Sequence, residues 1–130
     1  MAYEIGPIID LSFEADSDLS AKQYSIVKAA AVGHCAITSS AADKPLGILQ
    51  NKPKSGQQAI VRLLGVSKLV SNAAGLALDA DWGTDAAGRG IAKVANKDIV
   101  CGRVLEAAGA TVDLVATVTV NTISPGRISI

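Results

Sequence analysis

Apolar and polar residues alternate near the start of the chain. Ile5, Pro7, Ile9, Leu11 and Phe13 occupy odd positions, and the even positions between them are mostly polar or glycine. A period of two predicts an extended, half-buried strand. Because Pro7 has no N–H to donate, this strand is expected at a sheet edge or bound across a surface. We therefore take these five residues as a candidate interface.

Short apolar runs separated by turn residues occupy the chain from residue 22 to residue 121. In segment 57–70 the residues at odd positions predict a strand face in the core. The residues at even positions are apolar enough to predict that the other face is partly covered by the rest of the protein. The alternation is clearest in 111–121, where these residues are predicted to face inward: Val112, Leu114, Ala116, Val118 and Val120. Turn signals such as 51–56 separate the runs. Regularly spaced short strands indicate an all-β sandwich or barrel.

One stretch also fits a helix. Apolar residues between Val66 and Ala77 have helical spacing, and residues 104–108 are good helix formers, although Gly75 argues against a long helix. The predicted fold class is therefore all-β, a small β-barrel or sandwich of short antiparallel strands with at most one short helix and an extended N-terminal arm. The predicted domains are an acidic arm and linker at 1–21, a β-rich domain at 22–121 and a C-terminal tail at 122–130.

Charge is unevenly distributed along a chain whose net charge is zero. Residues 1–21 hold five of the 12 acidic residues and none of the 12 basic ones, so they carry −5 and the remainder carries +5. This asymmetry predicts an acidic arm that settles on a basic surface, its own or a partner's, with a solvated leader as the alternative. Burial of four arm side chains would contribute about 6–12 kcal/mol, and ordering the backbone at about 1–2 kcal/mol per residue would offset it. The arm is therefore expected to need a preformed groove or sheet edge.

Composition excludes several classes of protein. The chain is 49% hydrophobic and 18% charged, which is not the composition of a disordered protein. A nucleic-acid partner is not expected, because there is no basic surplus and only 3% of residues are aromatic. No apolar run approaches the roughly 18 residues that a membrane-spanning helix needs, and the N-terminus has no basic segment of the secretory type. We expect a compact, non-secreted domain with no membrane partner.

Side chains suited to catalysis or metal binding are few and scattered. Cys35 and Cys101 are expected to be reduced and buried, with a disulfide between them as the alternative. The single histidine, His34, is next to Cys35, but neighbours in a strand point to opposite faces and do not form a nucleophilic pair. One histidine and two separated cysteines do not make a zinc site. We expect no enzymatic activity, no metal and no cofactor.

Trp82 is the single tryptophan of the chain. It either anchors an interface or closes the core, and the sequence leaves both roles open, so we include it among the candidate interface residues. Two other patterns near it are weak. Asp79 and Asp81 precede a loop without the ligand spacing of an EF-hand, and the glycine-rich segment 83–90 lacks a phosphate-binding signature.

Several turn-and-strand motifs resemble those of bacteriophage capsid decoration proteins, also called cement or head-stabilising proteins. The similarity runs over about residues 13–121. These segments carry it: Leu19–Tyr24, Leu46–Pro53 with Gly56, Arg62–Lys68, Thr84–Gly90 and Gly102–Ala108. The most specific pieces are Leu-Gln-Asn-Lys-Pro and Val-Leu-Glu-Ala-Ala, in that order.

The resemblance implies a small β-rich subunit, made in the host cytoplasm, that binds the outer surface of a phage capsid. Its implied partners are the major capsid protein and further copies of itself, as a homotrimer at local threefold positions that stabilises the shell. On this hypothesis, residues 4–14 act as a clamp on a neighbouring subunit or on an exposed sheet edge of a capsid protein. Deleting residues 1–14 should then leave a folded protein that no longer binds shells. The alternatives are another virion assembly protein, such as a tail-tube subunit, and a small cysteine-dependent enzyme.

Overall fold

The computed structural model describes residues 8–128, which form strands joined by turns and contain no helix. The strands of this part of the chain are β1 (Ile9–Ala15), β2 (Ile26–Ala31), β3 (His34–Ile37), β4 (Gly47–Leu49), β5 (Gln58–Val70), β6 (Asp81–Thr84), β7 (Gly90–Ala92), β8 (Ile99–Val100), β9 (Gly102–Glu106), β10 (Val115–Asn121) and β11 (Gly126–Arg127). Nine of them make one large sheet, and β8 pairs separately with β11. The all-β class predicted from the sequence is confirmed.

The first half of the chain closes into a five-stranded barrel. Its strands are hydrogen-bonded in the order β1, β3, β2, β4 and β5, and β5 pairs again with β1 to complete the ring. The pairing of β1 with β3 is parallel, and the others are antiparallel. Residues 9–15 are therefore part of the barrel, and the predicted boundary after residue 21 does not separate them from it as an arm.

The long strand β5 belongs to two halves of the fold. Its first half pairs with β1 and β4, and its second half pairs with β10. From β10 the sheet continues through β9 and β6 to β7, and it bends back so that Gly90 of β7 bridges Ser71, just beyond the end of β5. We call the second half of β5, with β6, β7, β9 and β10, the lobe.

Two apolar clusters lie inside the fold, one in the barrel and one that fills the lobe and extends to the barrel strands β2 and β4. The barrel cluster consists of Ala15, Leu19, Val27, Cys35, Leu49, Ala59 and Val61. The lobe cluster consists of Ile26, Ile48, Leu69, Leu76, Trp82, Cys101, Val104, Ala108, Ala116, Val118 and Val120. Alternation along β5 supplies both, because Ala59 and Val61 enter the barrel and Leu69 enters the lobe, as the sequence predicted.

The closing strand β10 is shorter than its sequence pattern suggests. Its last three apolar positions are buried as predicted, but Val112 is 45% exposed and Leu114 is 43% exposed. The reason is that β10 begins only at Val115, after a turn in which Asp113 has a positive φ of 66°. The predicted inward orientation is therefore wrong for the first two positions.

Cross-strand pairing makes strands of the stretches whose residue spacing also fitted a helix. Residues 66–70 pair with β10, and residues 104–106 belong to β9. These ladders satisfy the backbone groups and override a moderate helix propensity. Strands β9 and β10 approach closely at Gly102, where φ is +155° and a Cβ would overlap the carbonyl oxygen of Thr119. Only glycine suits that position.

Both cysteines are buried free thiols, as predicted. Cys35 lies in the barrel cluster and Cys101 in the lobe cluster. Burial raises the pKa of the Cys35 thiol, and the nearby carboxylate of Asp16 raises it further. Burial also raises the pKa of Cys101 from 9.0 to about 12, although the ammonium group of Lys93 opposes this effect.

The buried Cys101 thiol should make folding sensitive to alkaline pH. In the unfolded chain this thiol ionises near pH 9, whereas in the folded protein it stays protonated up to about pH 12. The free energy of unfolding should therefore fall as the pH rises from about 9 towards 12, because only the unfolded chain gains from ionisation. Urea unfolding should show a steeper decline for the wild type than for Cys101→Ala. Equal declines would contradict this prediction.

Candidate interaction surface

The structure places three of the predicted N-terminal interface residues in a barrel strand. Ile9, Leu11 and Phe13 lie in β1, which runs antiparallel to β5. Ile5 and Pro7 lie outside the described residues. Alternation thus identified a strand, and the preformed sheet edge on which residues 9–15 lie belongs to the same chain.

Apolar side chains around β1 keep part of their surface exposed. Leu11 is 47% exposed, Ile9 is 37% exposed, and Ile8, which precedes the strand, is 42% exposed. Phe13 is half-buried and packs against the barrel cluster. Leu11 stands opposite the buried Val61 of β5, yet it remains exposed because β3 does not extend beside it. The wall of the barrel is open at this point.

Part of β1 has a strand on one side only. β3 begins at His34, which pairs with Glu14, and the next residue of β3 pairs with Ala15, so the pairing does not extend to residues 9–13 of β1. Over residues 9–13, β1 pairs with β5 on one side, and none of the strands within residues 8–128 lies along its other side. We call this unpaired side of residues 9–13 the open edge.

Backbone groups at the open edge point away from β5. The N–H of Glu14 donates to the carbonyl of Gly33 on the β3 side (2.8 Å), and the N–H of Ala15 donates to the carbonyl of Gln57 on the β5 side (3.0 Å). Successive residues of a strand alternate in this way, so the N–H and C=O of Ser12 point towards the open edge. Such groups form a template for pairing with another strand.

The β2–β3 hairpin ends beside the open edge. Its tip, residues 29–33, is exposed throughout, and Val32 is 100% exposed. Gly33 makes the turn with a φ of +76°. The chain therefore reverses direction where β3 would otherwise continue along β1, and this reversal leaves the edge open.

Acidic side chains at β1 contact other residues of the barrel. The Asp10 carboxylate accepts hydrogen bonds from Nε (2.9 Å) and Nη2 (3.1 Å) of Arg62 in β5. Nδ1 of His34 lies 2.8 Å from Oδ1 of Asp16 and 3.1 Å from Oε2 of Glu14. The acidic segment thus lies partly on its own chain, one of the possibilities that the charge asymmetry left open.

Trp82 lies inside the lobe, away from β1. It has no exposed surface, and its Nε1–H donates to the carbonyl oxygen of Thr119 at 2.8 Å. Of the two roles that the sequence left open, this position corresponds to the core role. In the single chain the ring offers no surface to a partner, because the lobe cluster surrounds it.

The candidate catalytic residues do not converge. Cys35 is buried, whereas the neighbouring His34 is partly exposed on the other side of β3, as alternation predicted. Cys101 belongs to the other half of the fold. Within residues 8–128, no three His, Cys, Asp or Glu side chains are placed to hold a metal ion. The same part of the chain has no helix long and apolar enough to cross a membrane.

Further exposed apolar side chains lie in the loops and strands around the start of β10. A bridge between Leu76 and Ala108 joins two loops of the lobe there. The exposed apolar residues of these loops and their adjoining strands, which we call the lobe surface, are Leu78, Leu105, Val112, Leu114 and Val115. Nothing in the alternation of the strands predicted this surface. Its signal was the absence of charged residues from 69–78 and from 107–112, which the bridge brings together.

Comparison with known proteins gives a similarity of fold. No protein-family model and no curated protein matches this sequence. The structure is similar to the crystal structure of the head fiber gp8.5 N base of bacteriophage phi29, with a TM-score of 0.65. The match covers 95% of this chain and 100% of that chain at 11% sequence identity. At this identity the likeness establishes the fold, a small all-β barrel with additional strands.

Proposed function

We propose that this protein is a structural component of a bacteriophage virion that binds the outer surface of the head and stabilises the shell. The observation that supports this proposal most directly is the fold shared, over nearly the whole of both chains, with the head fiber N base of phage phi29. The motifs that resemble capsid decoration proteins support the same conclusion. The major capsid protein is the proposed partner.

We further propose that the protein acts as a homotrimer at local threefold positions. The lobe surface is the contact that we assign between copies, because it is apolar and the interfaces of homo-oligomers are more apolar than other surfaces. A cyclic trimer can contact several shell subunits at once. Each further contact is then intramolecular and raises the total affinity.

We propose no catalytic activity for the protein and no cofactor, nucleic-acid or membrane partner. The separation of His34 from the buried Cys35 argues against a cysteine nucleophile in particular, as does the pKa of about 12 at Cys101, which keeps that thiol protonated at neutral pH. A double variant with alanine at both cysteines should bind shells as the wild type does. A folded double variant that still binds shells but no longer supports phage growth would instead favour a cysteine-dependent enzyme.

The proposed function is tested by measuring mass in solution and then binding to empty shells of the phage's major capsid protein. Light scattering should give a trimer. The trimer should co-sediment with the shells and raise the temperature at which they dissociate. A monomer that leaves the shells unaffected would contradict the proposal. Rings or tubes of the free protein would favour a tail-tube subunit.

Two matched variants test the assigned contact between copies. Leu78 lies in the lobe surface and is 67% exposed, and Val94 lies outside it and is 77% exposed. Leu78→Asp should give a monomer, because a carboxylate would be buried between copies without a partner. Val94→Asp should remain a trimer. If Leu78→Asp is also a trimer, the lobe surface is not the contact.

A further inference from the structure

We propose that the open edge of β1 accepts an extended strand of the major capsid protein, one that carries basic side chains. This inference rests on the proposed function and names the shell-binding site within it. It reverses the roles in the clamp hypothesis, in which the N-terminal segment itself was the added strand. Here β1 stays in its own barrel, and the capsid segment adds to it.

The backbone of β1 supports the role of acceptor. Residues 9–13 are already paired with β5 through one side, so they cannot join a separate sheet through that side without leaving the barrel. Their other side has no strand among those described, and the N–H and C=O of Ser12 point into it. An incoming strand would take the place that β3 leaves vacant beyond the hairpin turn at Gly33. Main-chain hydrogen bonds would then supply affinity.

The side chains at the open edge indicate an incoming strand with alternating apolar residues. Leu11 is 47% exposed on the interior side of β1, where the barrel wall is incomplete. Further along β1, a shallow recess of about 290 Å³ extends from Gly33 across Ser12, Phe13 and Glu14 to residues 56–58. An added strand would place every second side chain over Leu11 and Phe13 and cover their apolar surface.

The charges beside the edge favour a basic partner. The side chains of Glu14 and Asp16 are 52% and 40% exposed, and both carboxylates contact Nδ1 of His34. No lysine or arginine between residues 8 and 128 forms an ion pair with either of them. Lysine or arginine on the incoming strand would supply the missing opposite charge.

The same charges disfavour a second copy of this chain as the occupant. In an antiparallel pair of two β1 edges centred on Ser12, Asp10 of each copy would stand opposite Glu14 of the other. Like charges placed directly opposite each other destabilise a strand pair. The capsid strand is therefore the occupant to which the proposal commits.

A matched pair of variants at Ser12 tests the proposal. Ser12→Pro removes an N–H that points to the open edge and takes no part in the β5 ladder, so the barrel should still fold. Ser12→Ala keeps the N–H and is the control. In sedimentation with empty capsid shells, Ser12→Pro should bind at least tenfold more weakly than the wild type, and Ser12→Ala should bind equally well. A folded Ser12→Pro with wild-type affinity would overturn the open-edge proposal and leave shell binding itself intact.

Two further measurements keep the proposal decidable if Ser12→Pro does not fold. Hydrogen exchange should show fast exchange of the Ser12 amide in the free protein and slow exchange on shells, whereas the amides of Leu11 and Phe13, which point to β5, should be protected in both states. The double variant Glu14→Gln, Asp16→Asn should bind more weakly and with less dependence on salt. An unprotected Ser12 amide on shells, or unchanged binding of the double variant, would overturn the proposal. Protection of the Ser12 amide in a self-associated form without shells would also overturn the open-edge proposal. Wild-type protein that does not bind shells would contradict both the open-edge proposal and the proposed function.

Discussion

Deletion of residues 1–14 is expected to abolish cooperative folding. It removes Ile9–Phe13 and Glu14 from a strand that closes the barrel, so that β5 loses one of its partners and the barrel cluster is opened to water. The lost burial of Leu11 and Phe13, together with several ladder hydrogen bonds, amounts to about 5 kcal/mol. That is comparable with the entire stability of a small domain, roughly 5–15 kcal/mol. Thermal unfolding followed by far-ultraviolet circular dichroism should therefore show no sharp transition.

Deletion of residues 1–7 is the matched control. It leaves β1, its ladder with β5 and the Asp10–Arg62 ion pair in place, so a cooperative transition should remain. A sharp transition after deletion of residues 1–14 would show that β1 is dispensable for folding and would restore the original clamp hypothesis. The two deletions thus separate a structural strand from a removable arm, a distinction that shell binding alone would not make.

Trp82→Ala is expected to lower the free energy of unfolding by about 3–5 kcal/mol, the usual cost of removing a large buried aromatic side chain. The side chain has no exposed surface and is surrounded by the lobe cluster. Its removal would also leave the carbonyl oxygen of Thr119 without the Nε1–H donor that it has at 2.8 Å. Urea unfolding at neutral pH measures the change.

Trp82→Phe separates the two contributions. Phenylalanine keeps much of the apolar contact but has no donor for Thr119, so the expected loss is smaller, about 1–3 kcal/mol. A loss below 1 kcal/mol for Trp82→Ala would contradict the core role. In that case an interface role would return, and the variant should instead lower the affinity for a partner.

Local patterns identified strands, because alternation depends only on neighbouring residues. Alternation predicted the strand that contains Ile9, Leu11 and Phe13, and it predicted the buried face of β5. The partners of these strands were not predicted, because pairing joins residues far apart in sequence. Asp10 and Arg62, for example, meet across 52 positions, and no local signal links them. The pattern, the polar linker and the charge of residues 1–21 therefore carried no information that β1 pairs within the barrel.

The candidate surfaces were predicted less completely than the strands. For the N-terminal segment, the free energy gained by burying apolar side chains roughly equals the cost of ordering the backbone. This balance correctly predicted that the segment needs a preformed edge. A free energy summed along one segment does not identify the chain that supplies that edge. The lobe surface depends on the bridge between Leu76 and Ala108, which brings two loops together only in the folded state. Trp82 had two possible roles because a single aromatic residue forms no repeating pattern that would assign it to a buried or an exposed face.

The shared strand β5 has a mechanical consequence. Its 13 residues extend about 40 Å at roughly 3.3 Å per residue, without interruption from the barrel into the lobe. A force that pulls one half away from the other is carried as tension along a single covalent backbone. The ladders of β5 with β1, β4 and β10 are then loaded in shear, where many hydrogen bonds must yield at once. The molecule should therefore resist stretching along this axis far better than peeling at its edges.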